Sequence, residues 1–215
     1  MPHGGGPLVL YGRPGWGSAI VEAQLAVYGL PHRFEAVGDL FDDAQARERL
    51  RPLNPLAQVP VLVLADGTVM TESAAITLHL ADLTGRDDLV PGPQAAERAA
   101  FLRWLVFLVA NVYPTFTYAD DPARFVKAGE AAQQAFRAEV DAHAQRLWQT
   151  VEAAAAGPWF LGRRFSALDV YLAVMTRWRP RRDWFAAHAP RLLAAADAAA
   201  ALPAVAPVMA RNFPA

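Results

Sequence analysis

Apolar and polar positions along the chain follow two rhythms, and the change between them falls near residue 90. Upstream, short apolar runs alternate with single helical stripes. Pro7 to Tyr11 reads as a strand, and Ser18 onward as a helix with Val21, Leu25 and Tyr28 on one face. Ser18 is the expected N-cap, and Gly29 with Pro31 beyond it the expected stop. Arg33 to Val37 reads as a second strand and Asp43 to Leu50 as a short charged helix. Val61 to Leu64 is a buried strand, Ala65-Asp66-Gly67-Thr68 a hairpin turn and Val69-Met70 the return strand. Thr71-Glu72-Ser73 then opens a helix through Ile76 and Leu80 to about Thr84.

Downstream the period is helical throughout. Ala95 to Tyr118 carries Phe101, Leu105, Leu108 and Val112 along one stripe, with Pro114 kinking its end. Arg124 to Ala156 is a second long helix, and Ser166-Ala167-Leu168-Asp169 is a variant capping box opening a third. A further helix runs from Pro190 to Ala201, and a tail with Pro203, Pro207 and Pro214 is expected to wrap the surface. The polar, breaker-rich stretch Gly85 to Pro93 separates the two rhythms. The expected organisation is therefore an α/β domain over 8–84, a linker over 85–94 and an all-helical domain over 95–215.

Composition narrows the chemistry. A formal charge of −1 over 215 residues gives no basic excess for nucleic acid, and 54% hydrophobic residues suit a well-packed globular chain. With no cysteine, disulfides, thiolate catalysis by the protein and Cys-ligated metals all drop out. The five histidines, His3, His32, His79, His143 and His188, lack ligand spacing, so no metal is expected. The start, Met1 to Gly6, reads as a flexible lead-in rather than a signal peptide, and no uninterrupted apolar run approaches the roughly 18 residues of a membrane span. A cytoplasmic setting is the expectation.

The stretch NPLAQVPVLVLADGTVMTESAAI, residues 54–76, carries the binding chemistry. Pro60 stands at the start of a strand, and an X-Pro bond is where a cis peptide is cheap. Val59 before it is expected to keep backbone groups free, so that a peptide-like ligand can pair as an added strand. Glu72 and Ser73 lie at a helix start, where unpaired N–H groups favour a carboxylate and Glu72 can hold an amine. That pairing suits the free amino-acid end of a small peptide; the alternative is an ordinary first helical turn. Strand, Gly12-Arg13-Pro14-Gly15-Trp16-Gly17-Ser18 and helix also resemble a phosphate cradle in outline, but the loop lacks the glycine spacing and lysine of one.

These residues, followed by a helical half containing GRRFSALDVYLA, resemble the cytosolic glutathione S-transferase superfamily from Leu8 to about Ala200. The resemblance implies a thioredoxin-like domain that binds glutathione and a helical domain that supplies most of a hydrophobic substrate pocket. It further implies a homodimer, a hydrophobic electrophile as second substrate and a role in detoxification. Val59 would pair with the cysteinyl backbone of glutathione, Glu72 and Ser73 would hold its γ-glutamyl end, and Gln58 and Pro60 would lie beside it. LYGRPGWGS is similar to the start of the bacterial beta class, but Gly17 stands where that class has its active-site cysteine.

Conjugation needs the glutathione thiol ionised, and a free thiol near pKa 8.5 is only a few per cent thiolate at neutral pH. Ser18, at a helix start, is the first candidate donor; Tyr11, Tyr113 and a backbone N–H are the alternatives. Tyr113 stands where the beta class often has a pocket histidine. Trp16, Gly17 and Asn111 are expected to line the substrate pocket. The cluster Arg177, Arg179, Arg181 and Arg182 reads as a solvated helix end, the alternative being a contact to an anionic substrate or across a dimer, and Trp104, Trp148, Trp159, Trp178 and Trp184 read as helical core. Two other classes remain open: a glutathione-binding scaffold without turnover, and a narrower glutathione-dependent dehalogenase or peroxidase.

Overall fold

The structure, a computed structural model, describes residues 6–214, so most of the glycine-rich start, including His3, lies outside the described residues. Two compact units emerge: one holds the residues up to Val90 together with those from Ala199 on, the other Pro91–Ala198.

The first unit is built on a four-stranded sheet, β1 (Leu8–Gly12), β2 (His32–Ala36), β3 (Val61–Val63) and β4 (Val69–Met70), in the order β2-β1-β3-β4. β1 is parallel to β2 and antiparallel to β3, and β4 is antiparallel to β3. Helices α1 (Ser18–Tyr28) and α2 (Ala44–Leu50) lie between strands, and α3 (Ser73–Thr84) follows β4. This is the thioredoxin-like arrangement. Alternation along β1 explains its burial: Leu8, Leu10 and Gly12 are buried, Val9 and Tyr11 half-buried. The Asp66-Gly67 turn forms as expected, with Gly67 at φ 87 and the Asp66 carboxylate accepting from Thr68 N–H at 2.9 Å.

Local signals place most boundaries. Asp43 caps α2, accepting from the N–H groups of Gln45 (2.8 Å) and Ala46 (3.0 Å). Gly29 and Gly85 close α1 and α3 at φ 66 and 63, the left-handed conformation that glycine adopts without penalty. The stretch after Gly85 is anchored to the first unit: Arg86 bonds Asp88 at 2.8 Å and donates to the Tyr28 carbonyl at 3.0 Å, and Leu89 and Val90 are buried.

The second unit contains α4 (Arg98–Phe107), a π-helical turn (Leu108–Val112), α5 (Tyr113–Asp120), α6 (Glu130–Ala154), α7 (Ala167–Met175), α8 (Arg182–His188) and α9 (Pro190–Ala200), the last running on into the first unit. The first three run on as one helix. Pro114 cannot donate back to the preceding turn, and the π turn just before it absorbs the missing bond. By length and composition this helix, Arg98–Asp120, could cross a membrane, although no uninterrupted apolar run in the sequence suggested one. Its apolar stripe is accounted for within the unit: Phe101, Trp104, Leu105, Leu108, Val112 and Phe116 are buried, and the helix packs on α6 and α7.

Asp169 anchors the start of α7. Its carboxylate accepts from Phe160 N–H at 2.7 Å and Ser166 N–H at 2.9 Å, completing a capping box. Burial pushes its pKa up to about 6, against those hydrogen bonds, which favour the ionised form. Of the five tryptophans expected in the helical core, Trp104 and Trp148 are buried, whereas Trp159, Trp178 and Trp184 are half-buried. The arginine cluster is not merely a solvated end: Arg179 bridges Asp120 at 2.7 Å and Asp141 at 3.1 Å, and Arg182 pairs with Asp197.

The tail, expected to wrap the surface, contains a helix. Residues Ala206–Asn212 form α10, which packs on α1 in the first unit. Buried Glu22 on α1 pairs with Arg211 and accepts from Asn212 Nδ2 at 2.7 Å.

Candidate functional site

Sheet topology sends the chemistry-bearing loops to one end of the first unit. Tyr11 pairs with Val61 and Leu62 with Met70, so the C-terminal ends of β1 and β4 and the N-terminal end of β3 lie together. From that end leave the loop Arg13–Gly17, the segment ending in Val59–Pro60, and the turn into α3 at Glu72.

The Arg13–Gly17 loop is held from several sides. Arg13 pairs with Asp39 at 2.9 Å and its guanidinium lies 5.2 Å from the Trp16 ring centre; Trp16 packs on Phe41 at 5.0 Å. Asp39 also accepts from Phe41 N–H at 2.8 Å, and that bond leads the causes holding its carboxyl below the usual range. Beneath the loop, Tyr11, Trp16, Val37, Leu53 and Val59 pack on a core of Leu40, Ala46, Leu50 and Val61. Tyr11 thus belongs partly to this cluster.

Ser18 differs from its expected setting. Gly17 is the N-cap of α1, with no side-chain cap bond, and Ser18 is the first residue inside the helix, fully buried. Its hydroxyl donates to the Arg13 carbonyl and accepts from the Arg13 N–H, both at 3.1 Å. The reason is steric. A Cβ on Gly12 would lie 2.4 Å from both Cβ and Oγ of Ser18, so the glycine lets the serine fold back under the loop. The hydroxyl is therefore spent inside the loop. The N–H groups of Gly17 and Ser18, by contrast, have no acceptor among the described residues.

Val59 is half-buried on its side-chain face, the Val59–Pro60 bond is cis, and its backbone N–H and C=O have no partner among the described residues. Asn54, buried, ties the approach to Val59: it donates to the Gln58 carbonyl at 2.9 Å and accepts from Leu56 N–H at 3.0 Å. The Gln58 residue itself is exposed. Glu72 is exposed and adopts φ 62, ψ 101, rare for a residue with a Cβ, while Ser73 begins α3 buried, its carbonyl accepting from Thr77 Oγ1 at 2.8 Å.

In the second unit, Asn111 and Tyr113 do not face the same way. Asn111 is exposed, donates to the Phe107 carbonyl at 3.3 Å and lines a groove of about 430 Å³ with Pro114, Tyr118, His143 and Arg146. Tyr113 is half-buried against Trp178 (5.6 Å between ring centres) and Phe116 (6.0 Å).

Arg13, Asp39, Phe41 and Asn212 shape the first-unit site and were not singled out from sequence. Asn212 accepts from the Gly15 N–H at 3.1 Å, a contact 197 residues apart in sequence that no local pattern announces. Among the described residues no group of three or more His, Asp and Glu side chains is placed to hold a metal ion.

Comparison with known proteins decides the family. Residues 19–83 match the family described as Glutathione S-transferase, N-terminal domain. A protein of Escherichia coli (strain K12) named Uncharacterized GST-like protein YncG is 40% identical over 203 residues, covering 94% of this chain and 97% of its own. The chain belongs to the glutathione S-transferase superfamily. Glutathione S-transferase GST-4.5 of Xanthomonas campestris pv. campestris is 31% identical over 169 residues, 71% of this chain and 78% of its own. Among solved structures, a glutathione transferase homologue from Sulfitobacter with bound glutathione superposes with a TM-score of 0.83 at 25% identity, over 94% of this chain and 96% of that one. Gly17, which the sequence resemblance expects at the beta-class cysteine position, is buried.

Proposed function

We propose that the protein is a glutathione transferase that binds reduced glutathione on its first unit and adds the thiolate to a hydrophobic electrophile. The observation that carries the reading is the set of unpaired backbone groups at one end of the sheet: Val59 N–H and C=O, and the N–H groups of Gly17 and Ser18. Val59 would pair with the cysteinyl backbone, as an added strand does. Glu72 would take the γ-glutamyl amine, and Ser73 with the start of α3 its carboxylate. Gln58 and Pro60 flank the tripeptide. Glutathione bound to the Sulfitobacter homologue supports the same ligand here.

The thiolate is assigned to the start of α1. Because the Ser18 hydroxyl is already donated to Arg13, the reading gives the stabilising role to the backbone N–H groups of Gly17 and Ser18 together with the helix dipole. Ser18 then acts through its side chain by holding the loop. With an aryl halide, the sulfur–carbon bond forms as the carbon–halogen bond breaks, and the thiol proton passes to solvent. Trp16, at the lip of the loop, is the assigned wall of the electrophile site. A homodimer and a cytoplasmic setting belong to the same reading.

The test is turnover of a chromogenic aryl halide with glutathione. Saturable conjugation above the uncatalysed rate is expected. Ser18→Ala should keep measurable conjugation, since it leaves both N–H groups in place; complete loss with glutathione still bound would return the donor role to the hydroxyl. One observation favours a second reading, a glutathione-binding scaffold: Gly17 offers no side chain to the sulfur and Ser18 is turned away from it. Binding without turnover over a broad panel of electrophiles, including halides and peroxides, would select that reading.

A further inference from the structure

The geometry points to Asn212 as a positioning residue for the thiol, a role that rests on the glutathione reading above. Asn212 is 5% exposed and its side-chain amide is used at both ends. Its Oδ1 accepts from Gly15 N–H at 3.1 Å, while its Nδ2 donates to Glu22 at 2.7 Å and to the Val208 carbonyl at 2.9 Å. Glu22 lies in α1, only four residues beyond Ser18. One amide from the far end of the chain thus clamps the loop that carries Gly17 and the helix that carries Ser18.

That clamp fixes what matters for a backbone donor. A side-chain hydroxyl can rotate to meet an anion; an N–H points where the chain points it. Gly15 sits at φ 79 and a Cβ there would meet the Asn212 carbonyl at 3.3 Å, so the loop runs close against α10. The charged groups around the clamp are Arg13 and Asp39 on the loop side, Glu22 from α1 and Arg211 from α10. Arg211 bonds the second oxygen of Glu22, which keeps the carboxylate in place to orient the Asn212 amide. Neither contact needs substrate, so the donor pair is set before glutathione arrives.

The experiment compares the full chain with Asn212→Ala and Asn212→Gln by three readouts: hydrogen exchange over residues 13–18, thiolate absorbance of bound glutathione against pH, and steady-state kinetics. Removal of the amide should speed exchange in the loop and raise the thiolate midpoint by roughly one pH unit, a tenfold change in ionisation. Below the wild-type midpoint kcat should fall about tenfold, with the KM for glutathione nearly unchanged. Asn212→Gln keeps an amide displaced by one methylene and should shift the midpoint in the same direction by less; it carries the test should the alanine chain fail to fold. A folded variant with lower thermal stability but an unmoved thiolate midpoint would mean a purely structural role and overturn the inference. A wild-type chain that shows no thiolate band at all would instead bring down the glutathione reading, and this inference with it.

Discussion

Glu72 holds a backbone conformation, φ 62 and ψ 101, that costs a residue with a Cβ on the order of 1–3 kcal/mol. Its side chain makes no cap bond, and among the described residues only its carbonyl is engaged, accepting from Ile76 N–H at 3.0 Å. Strain of this kind is kept where a side chain must be presented in a fixed direction, here outward at the start of α3. Glu72→Gln removes the charge and keeps the shape. It should leave stability within about 0.5 kcal/mol, as exposed substitutions do, and weaken glutathione binding by about tenfold or more, the scale of a charge-assisted bond. Calorimetry checks both halves; unchanged affinity would take the amine away from Glu72. Gly12 works in the opposite sense, by having no side chain. Gly12→Ala would drive a methyl into Ser18 and should cost on the order of 1–3 kcal/mol in urea unfolding. A neutral result would mean that Ser18 can move, and with it the N–H groups assigned to the thiol.

At the scale of elements, Asp169 ties the start of α7 to the Phe160 loop. With its pKa raised from 3.8 to about 6 in the folded chain, the protonated form is favoured there relative to the unfolded chain. Its contribution to stability is therefore fully present below about pH 3.8 and lost as pH rises through about 6. Asp169→Asn should cost about 1–3 kcal/mol, because an amide NH2 would face backbone donors, and the cost should shrink as pH rises from 4 to 6. Denaturant midpoints across that window decide it; a cost that grows with pH would mean that the hydrogen bonds to the carboxylate outweigh its burial. Elements of this sort were legible in the sequence because their signals are local. The capping box at Ser166, the Asp66-Gly67 turn and the strand led by Pro60 each need only a few neighbouring residues to specify them. Short α8 and α10 lacked such signals, and Asn111 and Tyr113, two positions apart in one continuous helix, stand about 200° apart round its axis, so they meet different neighbours.

For the whole molecule, the C-terminal segment belongs to the unit that begins the chain. Sequence order suggested a boundary near residue 90 with everything beyond it helical; the return of α10 to α1 could not be read, because a buried carboxylate on one helix and an Arg-Asn pair 190 residues later carry no local mark. Deleting the segment from Ala206 onward strips buried Glu22 of both its half-exposed Arg211 partner and Asn212, which should cost about 1–3 kcal/mol, the scale of leaving a buried polar group unsatisfied. A fragment ending at Val90 is for the same reason not expected to fold cooperatively, and a sharp urea transition from that fragment would contradict the dependence. The candidate ligand site was more legible than its support: Val59, Glu72 and Ser73 stood out in the sequence, as did the local turn at Asn54, whereas Arg13 and Asn212 act on the loop through contacts with Asp39 and Gly15 that only folding creates.

On the proposed reading, the first unit grips reduced glutathione through unpaired backbone groups at one end of its sheet. Titration calorimetry of the full chain with reduced glutathione at neutral pH decides it. Saturable binding with a dissociation constant at or below about 1 mM, a free energy near −4 kcal/mol, and a clear loss in Glu72→Gln are the predicted result. No heat of association at several-fold higher glutathione from a chain that unfolds cooperatively would contradict it.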